Sequence, residues 1–212
     1  MGVSPKRLTA PAFLVILFLS AASSVTATPI TTYFITVNTS SIDGLTGQLD
    51  FQFNPGSGAL GAFVDISQFG FSDGGFNGSP TLTGGASGSL GSTVHIDNST
   101  GFNDFLQPWI FGLSLQFQVS FGGAAITSPD GSSTDTFGLA LYDLSFNPQL
   151  NDGSEGDFIV TIDVNTDGST TANPAAKPAN SLTVTPVLTP EPATWMLFGL
   201  AGIVLWRKWH RL

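Results

Sequence analysis

Strict alternation of apolar and polar residues is the feature that most constrains the fold of this chain. Its clearest run places five large apolar residues at every second position, with Ser or Gln between them: Leu113, Leu115, Phe117, Val119 and Phe121. Successive side chains of a strand point to opposite faces, so the run predicts an antiparallel strand with one buried face. Further candidate strands are Tyr33–Val37, Leu49–Phe53, Leu60–Phe69, Gly91–Asp97, Phe137–Leu144, Phe158–Val164 and Leu182–Leu188.

Turn-forming clusters separate these candidate strands. Examples are the segments Asn54–Gly58, Ser72–Gly75 and Ser128–Gly131, which combine Gly with Asn, Asp, Ser or Pro. Seven to ten strands joined in this way predict an all-β domain, an antiparallel β-sandwich or jelly roll whose core is filled by Phe. One short turn of helix is expected at Thr100–Gln107, and no fixed-period repeat supports a solenoid.

The charges are strongly segregated along the chain. Between Thr28 and Pro190 a single basic residue, Lys177, faces thirteen Asp and one Glu, so this span has a net charge of −13. Such a surface disfavours nucleic acid and anionic membranes as partners and keeps an exported protein in solution. There is no Cys, which excludes disulfides and a Cys nucleophile.

The N-terminus has the three parts of a secretory signal peptide. Lys6 and Arg7 precede the apolar segment Ala12–Ala22, and the small residue Ala27 ends a Val-Thr-Ala cleavage pattern. We expect signal peptidase to cut after Ala27, once the secretory translocon has exported the chain. Residues 1–27 are therefore assigned to the signal peptide and the mature chain to residues from Thr28 onward.

The C-terminus consists of a rigid peptide, an apolar run and a basic end. Pro190 and Pro192 hold the backbone extended around Glu191. Residues 193–206, with Trp195 and Trp206 near the ends, predict a short transmembrane helix of roughly 21 Å. The basic tail, residues 207–212, keeps three charges in the cytoplasm, those of Arg207, Lys208 and Arg211.

This tripartite segment, residues 189–212, resembles the PEP-CTERM sorting signal of exported proteins in Gram-negative bacteria that make extracellular polysaccharide. The resemblance implies that exosortase, a membrane cysteine peptidase, recognises the peptide Pro190-Glu191-Pro192 and passes the protein to the cell surface or matrix. Three internal segments also look like the ectodomain of an uncharacterised PEP-CTERM group: Asp50–Gly56, Asp97–Asp104 and Gly138–Asp143. That second resemblance supports the fold and carries over no catalytic residue.

The domain layout follows from these segments. Residues 28–167 are predicted to form the sandwich ectodomain. Residues 168–188, rich in Pro, Ala and Thr, are predicted to be a spacer with one further edge strand. The predicted sandwich thus lies between an N-terminal signal helix and a C-terminal transmembrane helix.

One calcium-loop pattern occurs at the end of a candidate strand. Asp163, Asn165 and Asp167 copy the alternating oxygen ligands of such a loop, but its twelfth position is Pro174 instead of Glu. We favour a plain turn and expect no cofactor. A calcium site completed by Asp152 or Asp157 is the alternative.

Catalytic patterns are sparse. Gly70-Phe-Ser72-Asp-Gly74 matches a nucleophile-elbow sequence, and His95 is the one His between Thr28 and Pro190. No helix is expected after Ser72, so we predict a protein without a catalytic centre. Paired carboxylates for glycoside hydrolysis show no sequence preference among the Asp residues. Trp109 is the candidate sugar platform, with core packing as the favoured fate of its ring.

These observations predict an exported surface or matrix protein with a structural or adhesive role, sorted by exosortase and held by its C-terminal helix. The alternative is a carbohydrate-binding module that binds the cell's own extracellular polysaccharide. A secreted hydrolase is the third hypothesis.

Overall fold

The computed structural model describes residues 31–132 and 134–188, and within them the chain is almost entirely β-structure. The predicted signal helix and C-terminal transmembrane helix lie outside these residues. The thirteen strands are β1 Thr32–Asn38, β2 Thr46–Pro55, β3 Ala62–Ser72, β4 Gly75–Phe76, β5 Thr81–Thr83, β6 Gly85–Gly88, β7 Val94–Asp97, β8 Asp104–Ile110, β9 Ser114–Gly123, β10 Asp135–Asp143, β11 Val160–Val164, β12 Thr170–Pro174 and β13 Leu182–Pro186.

Helical structure in the described part is limited to three short pieces. The segment α1, Ala124–Thr127, follows β9, and single 3₁₀ turns occur at Ser40–Ile42 and Ala179–Ser181. No helix in residues 31–132 or 134–188 has the length and apolar character needed to cross a membrane.

The strands form two antiparallel sheets. The first sheet has the order β13-β1-β9-β3-β7-β6, and the second has the order β12-β11-β10-β2-β8-β4 with β5 also paired to β8. The two sheets share one core of large side chains, as the aromatic contacts show. Phe51 of β2 packs edge-on against Phe117 of β9, with ring centroids 5.4 Å apart, and Phe53 of β2 lies 6.1 Å from Phe121 of β9.

The alternating run at Leu113–Phe121 is confirmed as strand β9. Leu115, Phe117 and Val119 are buried in the core, while Gln116 is exposed. Leu113 departs from the pattern because it lies just before the strand and is 44% exposed.

Two predictions about the elements are corrected. The helical turn expected at Thr100–Gln107 is wrong, because Asp104 begins strand β8, which pairs with β2 on one side and β4 and β5 on the other. The number of strands in the described part is also higher than seven to ten, since short strands such as β4 and β5 are held by pairing and carry little sequence pattern.

The structure also differs from the spacer predicted at residues 168–188. Strand β12 pairs with β11 in the second sheet, and the expected edge strand is present as β13, which pairs with β1 in the first sheet. Ala175 and Ala176, between these strands, are buried. Backbone pairing of β12 and β13 holds this segment in the fold, although it has few large apolar side chains.

The first and last strands place both ends of the described chain together. Tyr33 lies opposite Pro186, and the Val187 amide donates to the Thr32 carbonyl at 2.8 Å. We call this end of the two sheets the basal end. At the opposite, apical end, the Leu113 amide donates to Ser72 and the Thr39 amide to Leu113.

Candidate functional site

The apical end carries a cluster of aromatic rings, which we call the apical cluster: Phe71, Phe76 and Trp109. Phe71 is the second-last residue of β3 in the first sheet, whereas Phe76 and Trp109 lie directly opposite each other on β4 and β8 of the second. Each phenyl ring meets the indole edge-on at 5.0 Å, and the two phenyl rings are 6.0 Å apart. Trp109 is fully buried, but Phe71 and Phe76 are 44% and 51% exposed.

The tight turn between β3 and β4 sets the position of both phenyl rings. Gly74 has φ +70°, and a Cβ there would lie 2.3 Å from the Ile110 carbonyl oxygen. A Cβ on Gly112 would lie 2.3 Å from the carbonyl carbon of Asp73. The backbones of the turn and of the segment after β8 therefore touch directly, which only glycine permits at these two positions.

Trp109 also carries an unsatisfied hydrogen-bond donor. Its Nε1–H is buried and has no acceptor among the described residues. A buried polar group without a partner destabilises a fold by about 1–3 kcal/mol, so such groups often lie where a ligand or water binds. The sequence made Trp109 a candidate sugar platform, with core packing as the favoured fate of its ring, and the structure places the ring in the core, fully buried. The rings of Phe71 and Phe76, which contact the indole, are half-exposed.

A second polar feature is a buried acid pair on the outer face of the second sheet. Asp50 of β2 and Asp104 of β8 lie on paired strands, and each carboxyl group affects the pKa of the other. Only 4% and 8% of these residues are exposed, and Oδ1 of each is buried without a hydrogen-bond partner among the described residues. One proton shared between the two groups would satisfy both oxygens.

Burial and the neighbouring carboxyl raise the pKa of Asp50 to about 8, while the Gln52 amide, which donates to Oδ2 at 2.7 Å, acts in the opposite direction. Burial also raises the pKa of Asp104. Beside the pair, burial and then the charges of Asp50 and Asp157 raise the pKa of Tyr142, whose hydroxyl donates to Asp157 at 3.3 Å. The pair therefore holds a proton at neutral pH.

The acid pair has the residue types of a glycosidase site, but its surroundings differ from one. The catalytic carboxyls of such enzymes flank a sugar bond, and Asp50 and Asp104 present almost no surface to solvent. We therefore assign the pair to the stability of the second sheet.

The structure places Asp163 of the calcium-loop pattern in strand β11, and Asn165 and Asp167 in the hairpin turn between β11 and β12. Asp167 Oδ1 accepts from the amide and hydroxyl of Ser169 at 2.9 and 2.6 Å. Asp163 instead accepts from Thr136 and Asn173 on the neighbouring strands. Within residues 31–132 and 134–188, no three acidic or His side chains are grouped as a metal site would require.

The structure does not bring together Ser72 and His95, the two residues of the nucleophile-elbow alternative. His95 lies opposite Asp65 on β3, with Nδ1 2.7 Å from Oδ1, whereas Ser72 is seven residues further along β3. That spacing corresponds to roughly 20 Å. Ser87 lies opposite His95 on its other side, but its hydroxyl donates to the His95 carbonyl at 3.5 Å and makes no hydrogen bond to the ring.

The predicted sorting and processing residues lie outside the described part of the chain: Ala27, Pro190, Glu191, Pro192, Trp195, Trp206, Arg207, Lys208 and Arg211. The structure describes the chain up to the residues just before this segment. Strand β13 ends at Pro186 beside the start of β1, and Leu188 is the last described residue.

The described residues thus define an all-β protein with two antiparallel sheets, whose last strand runs directly into a C-terminal signal segment. Residues 188–211 match the PEP-CTERM protein-sorting motif. This match confirms the resemblance of the C-terminus and is consistent with an exosortase substrate, an exported protein processed at the cell surface. Among curated proteins and solved structures, none matches the chain.

Proposed function

We propose that this chain is a non-enzymatic surface or matrix protein of a Gram-negative bacterium, with a structural or adhesive role. It is exported with its signal peptide, held briefly by residues 193–206 and released or transferred by exosortase. The observation that carries the proposal is the sorting motif at residues 188–211, which begins two residues after strand β13 ends at Pro186.

The strand order supports a jelly-roll-like sandwich as the exported body. Strand β9 lies between β1 and β3 in the first sheet, and β2 lies between β8 and β10 in the second. Each of the runs β1-β2-β3 and β8-β9-β10 therefore crosses between the two sheets. The two runs pair with each other as antiparallel strands around one core. Jelly rolls are built in this way, and many serve in binding or in assembled shells.

Replacing Pro190, Glu191 and Pro192 by Ala tests the sorting proposal in native cells. The variant should accumulate as an unprocessed membrane form, because the extended peptide that the peptidase recognises is lost. A variant with Thr183→Ala and Thr185→Ala, exposed positions of β13, is the matched control and should be processed like the parent. Normal processing of the Pro-Glu-Pro variant would contradict the proposal.

A carbohydrate-binding role is the second candidate, and the apical cluster favours it. Half-exposed phenyl rings above a buried, unpartnered indole N–H combine an apolar surface with a hydrogen-bond donor. For the hydrolase, the third candidate, the acid pair is almost fully buried, and the His95 ring has no hydroxyl bonded to it among the described residues.

A further inference from the structure

We propose that the apical cluster binds sugar rings of a neutral polysaccharide, with Phe71 and Phe76 as the stacking surface and the Trp109 Nε1–H as a hydrogen-bond donor. The inference rests on the carbohydrate-binding role above and gives it a site and a ligand class. Three properties of the cluster support it: its exposed rings, its unpartnered donor and its charge.

The exposed rings form a surface that folding alone does not explain. Phe71 and Phe76 come from different sheets, yet they meet at 6.0 Å and share contact with Trp109. Ile110 and Leu113, at the same end, are 37% and 44% exposed. Contiguous exposed apolar side chains on a water-soluble surface mark binding sites, and an aromatic face suits the C–H face of a sugar ring.

The surface is also pre-organised. Backbone contact between the β3–β4 turn and the segment after β8 is close enough that only Gly fits at positions 74 and 112. This contact fixes the strand ends that carry Phe71 and Phe76. A ligand therefore binds without first ordering a flexible loop, which lowers the entropic cost of binding.

The unpartnered donor indicates a hydroxylated ligand. The three aromatic neighbours of Trp109 within 6 Å are Phe69, Phe71 and Phe76, and a phenyl ring accepts at most a weak N–H···π contact. A ligand oxygen that reaches the indole by displacing one of the two half-exposed rings would accept a full hydrogen bond from Nε1–H. Sugar hydroxyls are acceptors, and purely apolar ligands are not.

Charge favours a neutral ligand. The span from Thr28 to Pro190 has a net charge of −13, and Asp73 lies in the turn between the two exposed rings. Anionic polysaccharides and second copies of this chain are repelled by such a surface. The Asp73 carboxylate is instead suited to accept hydrogen bonds from sugar hydroxyls.

The position of the apical cluster in the fold agrees with a role in sugar binding. Both ends of the described chain, Thr31 and Leu188, adjoin the basal end through the pairing of β1 with β13. The apical cluster lies at the other end of the strands. It therefore points away from the place where the segment with the sorting motif begins.

The proposal is tested by calorimetric titration of the full-length protein in a zwitterionic detergent, since detergents with sugar headgroups would compete. The probes are the neutral oligosaccharides cellohexaose and mannohexaose and the anionic hexagalacturonate. We expect saturable binding of at least one neutral probe and none of the anionic one. Absence of saturable binding for both neutral probes, or tighter binding of hexagalacturonate, would overturn the proposal.

Variants locate the site. Phe71→Ala and Phe76→Ala should each lower the affinity about three- to tenfold, whereas Phe76→Tyr should retain it because the ring is kept. The matched control is Phe102→Ala, since Phe102 is 49% exposed but lies just before β8 at the basal end. Equal affinity of the Phe71→Ala, Phe76→Ala and Phe102→Ala proteins would contradict the assignment.

Trp109→Phe separates the hydrogen bond from the stacking. It removes the N–H while keeping an aromatic ring, so the affinity should fall severalfold even where circular dichroism shows the fold intact. Unchanged affinity would rule out the donor role. Sorting is read separately, from processing of the Pro-Glu-Pro variant in cells, so loss of sugar binding and loss of sorting are distinguishable.

Discussion

Asp50 and Asp104 form an almost fully buried pair of acids on the outer face of the second sheet, and one carboxyl oxygen of each has no hydrogen-bond partner among the described residues. The groups belong to neighbouring strands, where Asp104 lies opposite Gln52 and Asp50 lies opposite Leu106. Two ionised carboxylates that are both buried away from water would repel each other strongly. The folded sheet is therefore more stable while the pair keeps a proton.

The first prediction is a loss of stability as the pH rises. The folded pKa of Asp50 is about 8, above its ordinary value of 3.8, so between these values the folded state binds more protons than the unfolded state. The resulting stabilisation is complete below about pH 4 and is lost as the pH rises through 8, on the order of a few kcal/mol. Thermal unfolding between pH 5 and 9 measures it.

Asp50→Asn supplies the matched test of this pH dependence. An amide at this position donates to Asp104 at every pH, so the variant should unfold at a higher temperature than the parent at pH 8.5 and show a flatter profile. Asp143→Asn is the control, because hydrogen bonds from Asn147 lower the pKa of Asp143 and its effect is confined to acid pH. A parent profile that is flat from pH 5 to 9 would contradict the shared proton.

The second prediction concerns the aromatic core between the sheets. The Phe51 ring contacts those of Phe105, Phe117 and Phe137, with the closest centroid at 5.4 Å. Phe51→Ala should lower the free energy of unfolding by about 3–5 kcal/mol. Phe102→Ala, at a half-exposed ring, should change it by no more than about 0.5 kcal/mol. Similar losses in urea denaturation of the two variants would exclude a shared core centred on Phe51.

The third prediction concerns Gly74, in the turn between β3 and β4. It separates the crowding of an added Cβ against the backbone from the effect of the left-handed backbone conformation. Gly74 and Gly131 both have positive φ, +70° and +80°, but only Gly74 would place a Cβ against backbone. Gly131→Ala should lower the unfolding free energy by about 1 kcal/mol, from its left-handed conformation alone. Gly74→Ala should lower it by at least about 2 kcal/mol. Equal losses of unfolding free energy in the two variants, measured by urea denaturation, would show that the neighbouring backbone does not crowd position 74.

The fourth prediction concerns calcium. The side chains of Asp163 and Asp167 are engaged by different partners, Thr136 and Asn173 for the first and Ser169 for the second. Adding millimolar calcium should therefore leave the melting temperature unchanged and release no binding heat. A calcium-dependent rise in melting temperature that disappears in Asp167→Ala would restore the calcium loop as a site.

Sequence patterns predicted the strands with one regularly alternating face, and the reasons for the misses are physical. Strand β8 was missed because Gln107 interrupts its apolar face. That amide is buried and donates to the Gly78 carbonyl at 2.9 Å. Strand β12, Thr-Thr-Ala-Asn-Pro, has no large apolar residue and is held by pairing with β11 and by hydrogen bonds from Asn173.

The features of the candidate sites were less predictable than the strands. Trp109 was identifiable as an aromatic residue before the strongest strand, but its burial under Phe71 and Phe76 depends on how β3, β4 and β8 meet. The pairing of Asp50 with Asp104 depends in the same way on the register of two strands far apart in the chain. By contrast, the sorting motif is a local pattern, and it was recognisable from contiguous residues alone.

The central claim is that this two-sheet protein is exported and then processed at its C-terminal motif. Mass spectrometry of the protein recovered from native cells tests it most directly, because it reads both termini. We predict a chain that begins at Thr28 and ends near Pro190–Pro192, found at the cell surface or in the matrix. An intact chain from Met1 to Leu212, recovered from the cytosol, would contradict the account.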